Sequence, residues 1–586
     1  MKLPLPVALV AWLSFSTAFS QTFTSTNLPL VVIQTAGNQT IPDEPKILAS
    51  MKIIYRGPGL RNALTDTVYN YNGSIGIEIR GANSQTYPKK SYGLETLSAP
   101  DINASSLDVS LMGFPADNDW ILYASAIDNS FVTNVMGYQF SRQLGRYASR
   151  SQYVEVFLNG GYLGLYVLGE NVKRGANRIP VSKITSTDVS GDKLTGGYIV
   201  KVDDYDGNYR WPGAFAPECR PGFQHYLEVH YPKAGDIQTV QGEYIKQYVT
   251  NFENALHARN FDAATGYQKY ADLSSFVDYF LMNEVSKNPD AYSKSTYMYK
   301  DRDSKGGKLT MGPMWDLDIA YGYAIGLGNE TQGWTFENNM AATVDQQIVP
   351  FWWSYLVQDT TFVQSVQRRW PAMRQYVFST ARVNAVIDSL GAIFQEAHAR
   401  NAVRWSQSSD LGSALTARKT FLAARLAWID ANINGLGYYI RPYSISEYCS
   451  VNTPTLHANS SWPNNLYTWR LNGSQVNPPP GRDYSPQQAG TYSVTFSYDL
   501  FGKSCVFTFP SKIITLRSDQ NILSRRSGNW EDENTWSCGK PPVDTQLVTI
   551  SAGHVIRLNS NSSVAKVNFE TASQLLISQA TQLSLP

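Results

Sequence analysis

The sequence predicts an α+β protein, and three observations lead to that class. Some stretches, such as residues 74–80 (SIGIEIR), alternate apolar and polar side chains with the period of two that a half-buried strand requires. Others, such as residues 240–258, repeat apolar side chains at helical spacing. After Pro442 the chain changes to short strand-like segments rich in proline, glycine and asparagine. Mixed elements followed by a β-only region indicate an α+β domain with β modules behind it.

Several strands are predicted in the first part of the chain. Residues 30–33, 74–80, 91–97 and 196–202 each carry an apolar or alternating pattern. Residues 153–158 and 162–168 do so on either side of Asn159-Gly160-Gly161. Asn-Gly between two alternating segments is the strongest short-range signal for a β-hairpin, so these two segments are expected to pair.

Helices are predicted between and after these strands. Apolar residues recur at helical spacing over residues 129–144, 240–258 and 273–284, and Asp272 is placed to cap the third of these helices. Residues 361–390 and 414–433 form a long helical half, and Gly435 and Gly437 end its last helix. The α+β domain is therefore expected to extend from about residue 47 to residue 443.

The C-terminal third is predicted to be β throughout. Residues 449–516 have the strand spacing of a small immunoglobulin-like β-sandwich, with Trp469 in one strand. Residues 527–586 alternate in short strands and fit either the start of a β-solenoid or a sandwich. The predicted organisation is a signal peptide at 1–20, a linker with one strand at 21–46, the α+β domain at 47–443, the sandwich at 444–520 and a terminal β module at 521–586.

Composition and the N-terminus limit the class of protein. The 586 residues are 43% hydrophobic and 17% charged, which excludes a disordered chain. With 49 Lys and Arg against 48 Asp and Glu, a dedicated nucleic-acid binder is not expected. Lys2, the apolar residues 7–15 and the small-x-small site at 18–20 indicate a signal peptide, and no later stretch is apolar enough for a transmembrane segment. We expect a secreted or cell-surface protein.

The four cysteines do not form a metal-binding pattern. No CxxC pair occurs, so a structural zinc site of the usual spacing is not expected. Export permits disulfides. Cys449 and Cys505 bracket a short β-like segment and are predicted to pair. Cys219 and Cys538 then remain, either free or paired with each other.

The strongest chemical signal lies in residues 280–322. A helix is predicted to end at Asn288-Pro289-Asp290, because proline disfavours helical geometry in the residue before it. Strands are predicted at 295–300 and 308–311, and the second leads into Trp315-Asp316-Leu317-Asp318. On an extended chain Asp316 and Asp318 point to the same side. Two converging carboxylates suit Mg²⁺, which is commonly held by one or two carboxylates plus substrate phosphates.

Asp290 is the third carboxylate of this stretch. On a loop before the hairpin it could orient and deprotonate an acceptor hydroxyl, while the other two aspartates hold the metal, which is the division of labour in kinase sites. The spacing alone leaves a structural alternative open. In it Asp290 caps a turn, and Asp316 and Asp318 lie at the end of a strand without binding a metal.

These motifs closely resemble the CotH kinase family of atypical secreted kinases. The family pattern of Asn-x-Asp, a strand hairpin and Gly-Pro-x-Trp-Asp-x-Asp stands here as Asn288-Pro289-Asp290 and Gly312-Pro313-Met314-Trp315-Asp316-Leu317-Asp318. Residues 79–84 (IRGANS) and 88–92 (PKKSY) resemble two earlier family blocks, and residues 119–124, Asn134, 154–160, 164–166 and Glu170 resemble its middle. The similarity extends over about residues 47–330.

The resemblance implies an atypical kinase-like domain that uses ATP and Mg²⁺ or Mn²⁺. Asp290 resembles the catalytic-loop aspartate, Asp316 the metal aspartate and Asp318 its neighbour and possible second ligand. Kinase order implies further nucleotide-binding residues, which are Arg80, Asn83, Ser84, Lys89, Lys90 and Glu170. Lys201 is a competing candidate for binding the phosphates. Ala82 departs from the glycine frequent in the family, and a loop with fewer glycines approaches phosphates less freely.

Three functions are carried forward. The first is an exported kinase that transfers the γ-phosphoryl group of ATP to Ser or Thr of a surface or secreted protein. The second is a catalytically inactive surface or adhesion scaffold that keeps the kinase-like fold, which the 36 tyrosines and the β modules favour. The third is a glycan hydrolase with paired carboxylates. Asp316 and Asp318 are too close in sequence to flank a glycosidic bond comfortably, but Asp290 with either of them could do so.

Overall fold

The computed structural model describes residues 23–217, 222–323, 326–340, 348–441, 447–449, 455–459, 466–477, 481–500, 503–517 and 521–585. The predicted signal peptide at 1–20 lies outside these ranges. The side chains of Cys449 and Cys505 also lie outside the description, so their pairing stays a prediction. The chain divides into two compact units. The first comprises residues up to 129, 151–170 and 391–411, and the second comprises 130–150, 171–390 and the chain from 412 onward.

The first unit is a closed barrel of seven strands. The strands are β1 (Leu30–Thr35), β2 (Ile47–Ile54), β3 (Tyr69–Arg80), β4 (Ser91–Leu97), β5 (Asp119–Tyr123), β6 (Ser151–Leu158) and β7 (Gly161–Glu170). Neighbours pair antiparallel in the order β1-β2-β3-β4-β5-β7-β6, and a parallel pairing of β1 with β6 closes the barrel. The predicted strands at 30–33, 74–80 and 91–97 and the hairpin of 153–158 with 162–168 are confirmed.

Apolar side chains at alternate positions of the strands fill the interior of the barrel. Ile75 and Ile77 of β3 are fully buried, as are Trp120 and Leu122 of β5. The hairpin between β6 and β7 turns at Asn159 and Gly160, both with positive φ (50° and 77°), as a tight two-residue hairpin turn requires.

The second unit contains a five-stranded sheet with helices around it. Its strands are β8 (Tyr198–Val202), β9 (Arg210–Pro212), β10 (Tyr226–Tyr231), β11 (Thr296–Lys300) and β12 (Thr310–Met311), in the order β12-β11-β8-β10-β9. The helices of the chain are α1 (Thr133–Gln143), α2 (Gly191–Leu194), α3 (Thr239–His257), α4 (Leu273–Ser286), α5 (Trp352–Leu356), α6 (Thr360–Gln375), α7 (Thr380–Trp405) and α8 (Leu411–Asn432). The α+β class is therefore confirmed.

Two helix predictions can be compared in detail. The Asp272 side chain accepts a hydrogen bond from Ser274 N, so the predicted cap of α4 is confirmed. The predicted helical stretch 361–390 is broken: α6 ends at Gln375 and α7 begins at Thr380. Across the described residues, no single helix has the length and apolar character to cross a bilayer, although α6 and α7 taken together as a bent pair meet that test.

The described part of the chain after residue 438 is β apart from a short 3₁₀ turn at Glu533–Thr535. One three-stranded sheet contains β13 (Tyr439–Arg441), β15 (Leu456–Asn459) and β18 (Asp483–Tyr484). A six-stranded sheet contains β14 (Glu447–Cys449), β16 (Leu466–Leu471), β17 (Ser474–Gln475), β19 (Gly490–Leu500), β20 (Lys503–Thr508) and β21 (Lys512–Arg517). The buried Trp469 lies in β16, as the sequence indicates.

The terminal module has the pairing of a parallel β-solenoid. Its strands are β22 (Asn521–Leu523), β23 (Gly528–Asn529), β24 (Leu547–Ile550), β25 (Val555–Leu558), β26 (Ser562–Ser563), β27 (Lys566–Phe569), β28 (Gln574–Ile577) and β29 (Leu583–Ser584). They form the ladders β22-β24-β27, β23-β25-β28 and β26-β29, all parallel. Of the two predicted alternatives, parallel pairing favours the solenoid. Cys538 is buried here and disulfide-bonded, so it is not free, and its partner lies outside the described residues.

Candidate active site

The loop after α4 carries Asp290. The helix ends at Ser286, and Lys287 adopts a left-handed conformation (φ 49°) before Asn288 and Pro289. The buried Asn288 side chain accepts a hydrogen bond from Asp290 N (3.2 Å) and donates one to the carbonyl oxygen of Asp316 (3.0 Å). One amide therefore joins the backbone of the predicted catalytic aspartate to the backbone of the predicted metal aspartate.

Helix α1 holds the Asp316 loop from another direction. Leu317 N donates to Asn134 Oδ1 (2.6 Å), and Asp316 N donates to the Tyr138 hydroxyl (3.3 Å). Trp315 stacks on the Tyr138 ring, with 5.7 Å between ring centroids. Asn134 and Tyr138 are four residues apart and so lie on the same face of the helix. The backbone at Asp316 is thus fixed by contacts with residues that lie about 180 positions earlier in the chain.

Gly137 lies on the same face of α1 and permits the close approach. A Cβ atom at this position would lie 2.2 Å from Leu317 Cδ1 and 2.9 Å from the Tyr321 hydroxyl oxygen. Leu317 and Tyr321 are both buried, so neither can move aside cheaply. The glycine therefore lets the Asp316 loop pack directly on the helix.

The expectation that Asp316 and Asp318 share one side of an extended strand is wrong. Strand β12 ends at Met311, Asp316 has a left-handed conformation (φ 58°), and Asp318 lies in a turn. Pro313 has no N–H to donate to a neighbouring strand, and the left-handed residue changes the chain direction. The metal-binding role of the two carboxylates remains a prediction, but alternation along a strand does not support it.

Left-handed residues other than glycine are concentrated in this region. Lys287, Tyr292, Ser295, Asp316 and Tyr321 have φ between 46° and 68°. Such conformations cost about 1–3 kcal/mol each and persist where the surrounding structure determines them, which is common at functional sites. The strain lies in the two loops that carry the three predicted aspartates.

Ser295 and Asp203 belong to the same group, although the sequence analysis did not single them out. The Ser295 hydroxyl donates to Asp316 Oδ2 (3.4 Å). Asp203 accepts the N–H of Ser295 and that of Asp204 (2.9 Å), and burial raises its pKa. The β8–β11 register pairs Val202 with Thr296 and so brings these residues together. The consecutive aspartates after a predicted strand were the signal that could have identified Asp203.

Lys201, predicted as a competing phosphate ligand, is engaged within the protein. Its Nζ atom donates to Asp206 Oδ2 (2.8 Å) and lies 3.8 Å from Glu228 Oε2. The side chain is buried, and the Asp206 carboxylate balances its charge. A phosphate would have to compete with Asp206 for this ammonium, so the binding role of Lys201 stays a prediction.

Glu228 and Asp206 have opposite pKa shifts. Burial, followed by the hydrogen bond with Asp206, raises the pKa of Glu228 to about 7. The pKa of Asp206 is lowered although burial opposes the shift, because hydrogen bonds with Glu228 and Lys201 favour its ionised form. Near neutral pH the pair therefore shares one proton, which belongs mainly to Glu228.

The contribution of Glu228 to stability is expected to fall as the pH rises from about 4.5 to 7. In that range the folded chain keeps a proton on Glu228 that the unfolded chain has lost, since the ordinary pKa of the group is 4.5. Asp206 titrates below this range, whereas His230, whose pKa burial lowers to about 4, contributes stability that rises with pH. We therefore expect the urea midpoint of Glu228→Gln to rise relative to that of wild type as the pH increases from 5 to 8. The exposed Glu330→Gln is the control, and equal pH slopes in wild type and Glu228→Gln would contradict the expectation.

The predicted nucleotide-binding residues of the barrel unit follow β3. Asn83 and Ser84 begin a short 3₁₀ turn after Arg80 and Gly81. Gly81 has φ 106°, and a Cβ atom there would lie 2.0 Å from Ser84 Oγ, so this turn requires glycine. Lys90 donates to the carbonyl oxygen of Gln85 (2.5 Å) across the same turn.

Lys89, for which kinase order implies a nucleotide-binding role, is engaged within the protein, and that role stays a prediction. It lies in the loop before β4, and its side chain is buried. The Nζ atom donates to the Leu165 carbonyl oxygen (2.5 Å) and to Asn401 Oδ1 (2.9 Å), and it lies over the Tyr166 ring. Burial holds its pKa well below the usual value. Lys89 is thus part of the barrel packing, as is Glu170, buried at the end of β7.

The donor chemistry around Asp316 suits a hard divalent ion completed by phosphates. Among the described residues, no group of three or more His, Cys, Asp or Glu side chains could hold a metal by itself. Mg²⁺ rarely uses such all-protein cages and instead combines one or two carboxylates with waters and nucleotide oxygens. Asp316 and Asp318 are carboxylates of this type, so they fit an ion that arrives with a nucleotide.

Comparison with known proteins identifies the family of the chain. No curated protein shows a significant match to the chain. A family model described as CotH kinase protein matches residues 77–429, more than half of the chain, and it includes Asp290, Asp316 and Asp318. The chain therefore belongs to the CotH kinase family.

Proposed function

We propose that this protein is an exported kinase that transfers the γ-phosphoryl group of ATP to a Ser or Thr hydroxyl of a surface or secreted protein. The observation that carries the proposal is the Asn288 side chain, which bonds to Asp290 N on one loop and to the Asp316 carbonyl oxygen on the other. It favours a common site for the two aspartates over separate structural roles.

Each aspartate has a distinct task in this proposal. Asp290 orients the acceptor hydroxyl and takes its proton. Asp316 and Asp318 hold Mg²⁺ or Mn²⁺, which when bound supplies positive charge against the phosphate oxygens. The strained backbone around Asp316 supports such a role, because a carboxylate fixed in advance stabilises developing charge without rearranging during the reaction.

The remaining parts of the chain suit action outside the cytoplasm. The leader-like residues 1–20 support export. The β region that follows residue 443 would then place the kinase domain on a surface or matrix, with its first part as an immunoglobulin-like sandwich. Because ATP is scarce outside cells, the acceptor would be modified during export.

The test is incubation of the full chain with γ-labelled ATP, Mg²⁺ or Mn²⁺ and a mixture of secreted proteins as acceptors. We expect label to appear on Ser or Thr, and we expect Asp290→Ala to reduce its rate by roughly 100-fold or more, since general-base catalysis contributes 10²–10⁴-fold. Asp388→Ala is the matched control, because Asp388 lies on α7 and pairs with Lys419.

Each alternative has its own outcome in this experiment. Intact-mass analysis distinguishes a phosphoryl adduct from a nucleotidyl adduct, and the latter would replace phosphoryl transfer with AMP transfer. If no ATP-dependent label appears while surface binding survives Asp316→Ala, the inactive scaffold replaces the kinase. Glycan cleavage without nucleotide would instead identify a hydrolase.

A further inference from the structure

A cavity of about 830 Å³ lies at the beginning of α4. It is lined by the end of α1, the chain before α4, the first turns of α4, Lys308 and α6. Its volume is in the range of small-ligand sites. Asp278 is the last residue of α4 in the cavity wall, and the helix ends eight residues later at Ser286. About 12 Å of helix therefore separates this cavity from the loop that carries Asp290. The cavity is thus distinct from the aspartate site.

The charges that line the cavity leave an excess of positive charge. The Asp278 carboxylate accepts two hydrogen bonds, one from Arg146 Nε at Oδ2 (2.8 Å) and one from Arg369 Nε at Oδ1 (2.7 Å). Asp272 caps α4, and its Oδ2 lies 3.7 Å from Arg146 Nη1. Lys308 donates to the Gln268 carbonyl oxygen (2.6 Å). Two carboxylates of the wall therefore face three cations, Arg146, Arg369 and Lys308, which leaves one positive charge.

The two guanidinium groups are held in place before any ligand arrives. Arg146 also donates to Ser274 Oγ (2.9 Å), and Arg369 also donates to the Leu144 carbonyl oxygen (3.4 Å). Their side chains are 28% and 36% exposed, so part of each remains open to solvent. Fixed guanidinium groups bind phosphate or carboxylate with two parallel hydrogen bonds, and preorganisation lowers the entropic cost of binding.

The rest of the lining favours an anion carried by an organic chain. Leu144, Leu273 and Val277 contribute apolar surface beside the arginines. A phosphate attached to a peptide can cover that surface, whereas a free ion cannot. About four extended residues bridge 12 Å, so one acceptor segment of at least that length can reach from this cavity toward Asp290.

We propose that the cavity binds a phosphoserine or phosphothreonine of the acceptor protein and so directs the kinase to segments that already carry a phosphate. This inference rests on the proposed function, because that reaction makes the group that the cavity takes. One phosphorylated residue would then promote modification of a second residue at least about four positions away.

The test measures fluorescence anisotropy of a labelled serine-containing peptide with the full chain and no nucleotide. The peptide is prepared with phosphoserine, serine or glutamate at its centre. We expect the phosphoserine form to bind roughly tenfold or more tightly than the other two, because a phosphate forms charge-assisted bonds with both arginines. Inorganic phosphate is expected to compete with it.

Two substitutions locate the site. Arg369→Gln removes one guanidinium, and Ser365→Glu places a carboxylate in the cavity while leaving both bonds to Asp278 in place. Each is expected to weaken phosphopeptide binding roughly tenfold or more. Ser365→Ala and Arg382→Gln are the controls and should bind as wild type does. Arg382 is an exposed arginine on α7 that contacts Gln143.

Several results would overturn the inference. Equal affinity for the phosphoserine and serine peptides would contradict the existence of a phosphate-binding site. Equal affinity for the phosphoserine and glutamate peptides would contradict a preference for phosphate over carboxylate. Wild-type affinity of Ser365→Glu for the phosphopeptide would contradict the placement of the site in this cavity. Because no ATP is used, failure of phosphoryl transfer in the kinase assay leaves this measurement unaffected. A chain that phosphorylates acceptors but binds no phosphopeptide contradicts the cavity alone.

Discussion

Asp316→Asn is expected to reduce phosphoryl transfer by roughly two to three orders of magnitude while the protein stays folded, because it removes a charge and little else. Asparagine has nearly the same shape as aspartate and tolerates the left-handed backbone that position 316 adopts (φ 58°). The bonds to Asn288, Asn134 and Tyr138 involve backbone atoms of residues 316 and 317, so the substitution keeps them.

The measurement is the initial rate of label transfer from γ-labelled ATP as Mg²⁺ is varied. A metal-binding role predicts that Asp316→Asn also raises the Mg²⁺ concentration for half-maximal rate. A change in rate alone would indicate a different role for the carboxylate. Asp388→Asn is the matched control, because this exposed aspartate pairs with Lys419 on α8. The substitution is expected to leave both quantities unchanged.

Asp318→Asn in the same assay tests whether the second aspartate is a ligand. Asp318 lies in a turn, whereas the Asp316 backbone is fixed by three hydrogen bonds at residues 316 and 317. We therefore expect a smaller loss for Asp318→Asn than for Asp316→Asn. If Asp316→Asn kept the wild-type rate and the wild-type Mg²⁺ dependence, the proposed metal-binding role of Asp316 would be contradicted.

The local signals of the sequence were sufficient for most single elements. Asn159-Gly160 predicts a hairpin because both residues tolerate positive φ, and Asp272 predicts a helix start because its carboxylate can accept an orphan N–H. Both predictions depend on only a few neighbouring residues. The position of Asp290 on a loop after α4 follows in the same way from Pro289.

What the sequence could not provide depends on distant contacts. The conformation of Asp316 is supported by Asn134 and Tyr138, 183 and 178 residues away from their partners. The burial of Lys89 depends on Asn401, 312 residues further along the chain. The parallel pairing of β1 with β6 closes the barrel, and the period of two in each strand contains no information about that partner.

Arg425→Met is expected to cost about 3–5 kcal/mol of stability, because it leaves a buried carboxylate without its counter-ion. Arg425 and Glu284 are both fully buried, and Arg425 Nη2 lies 3.1 Å from Glu284 Oε2. Burial lowers the pKa of Arg425 to about 10, so the guanidinium is still charged at neutral pH. It also donates to the carbonyl oxygens of Glu284, Thr331 and Gly333.

Methionine fills a similar volume but offers none of these donors. Three carbonyl oxygens lose a partner, and Glu284 keeps only the N–H groups of Thr335 and Phe336 and the Tyr292 hydroxyl. We expect a large fall in the urea midpoint. Lys419→Met is the matched control on the same helix, since its ion pair with Asp388 is solvent-exposed and contributes at most about 1 kcal/mol.

A double-mutant cycle separates the lost charge balance from lost packing. If the uncompensated carboxylate causes the cost, Glu284→Gln should be less harmful in the Arg425→Met background than in wild type, because it then removes an unpaired charge. If the two substitutions are simply additive, the cost comes from the cavity and the lost carbonyl partners instead. Since Glu284 lies on α4, two residues before that helix ends, the same cycle read by phosphoryl transfer measures how far this ion pair supports the Asp290 loop.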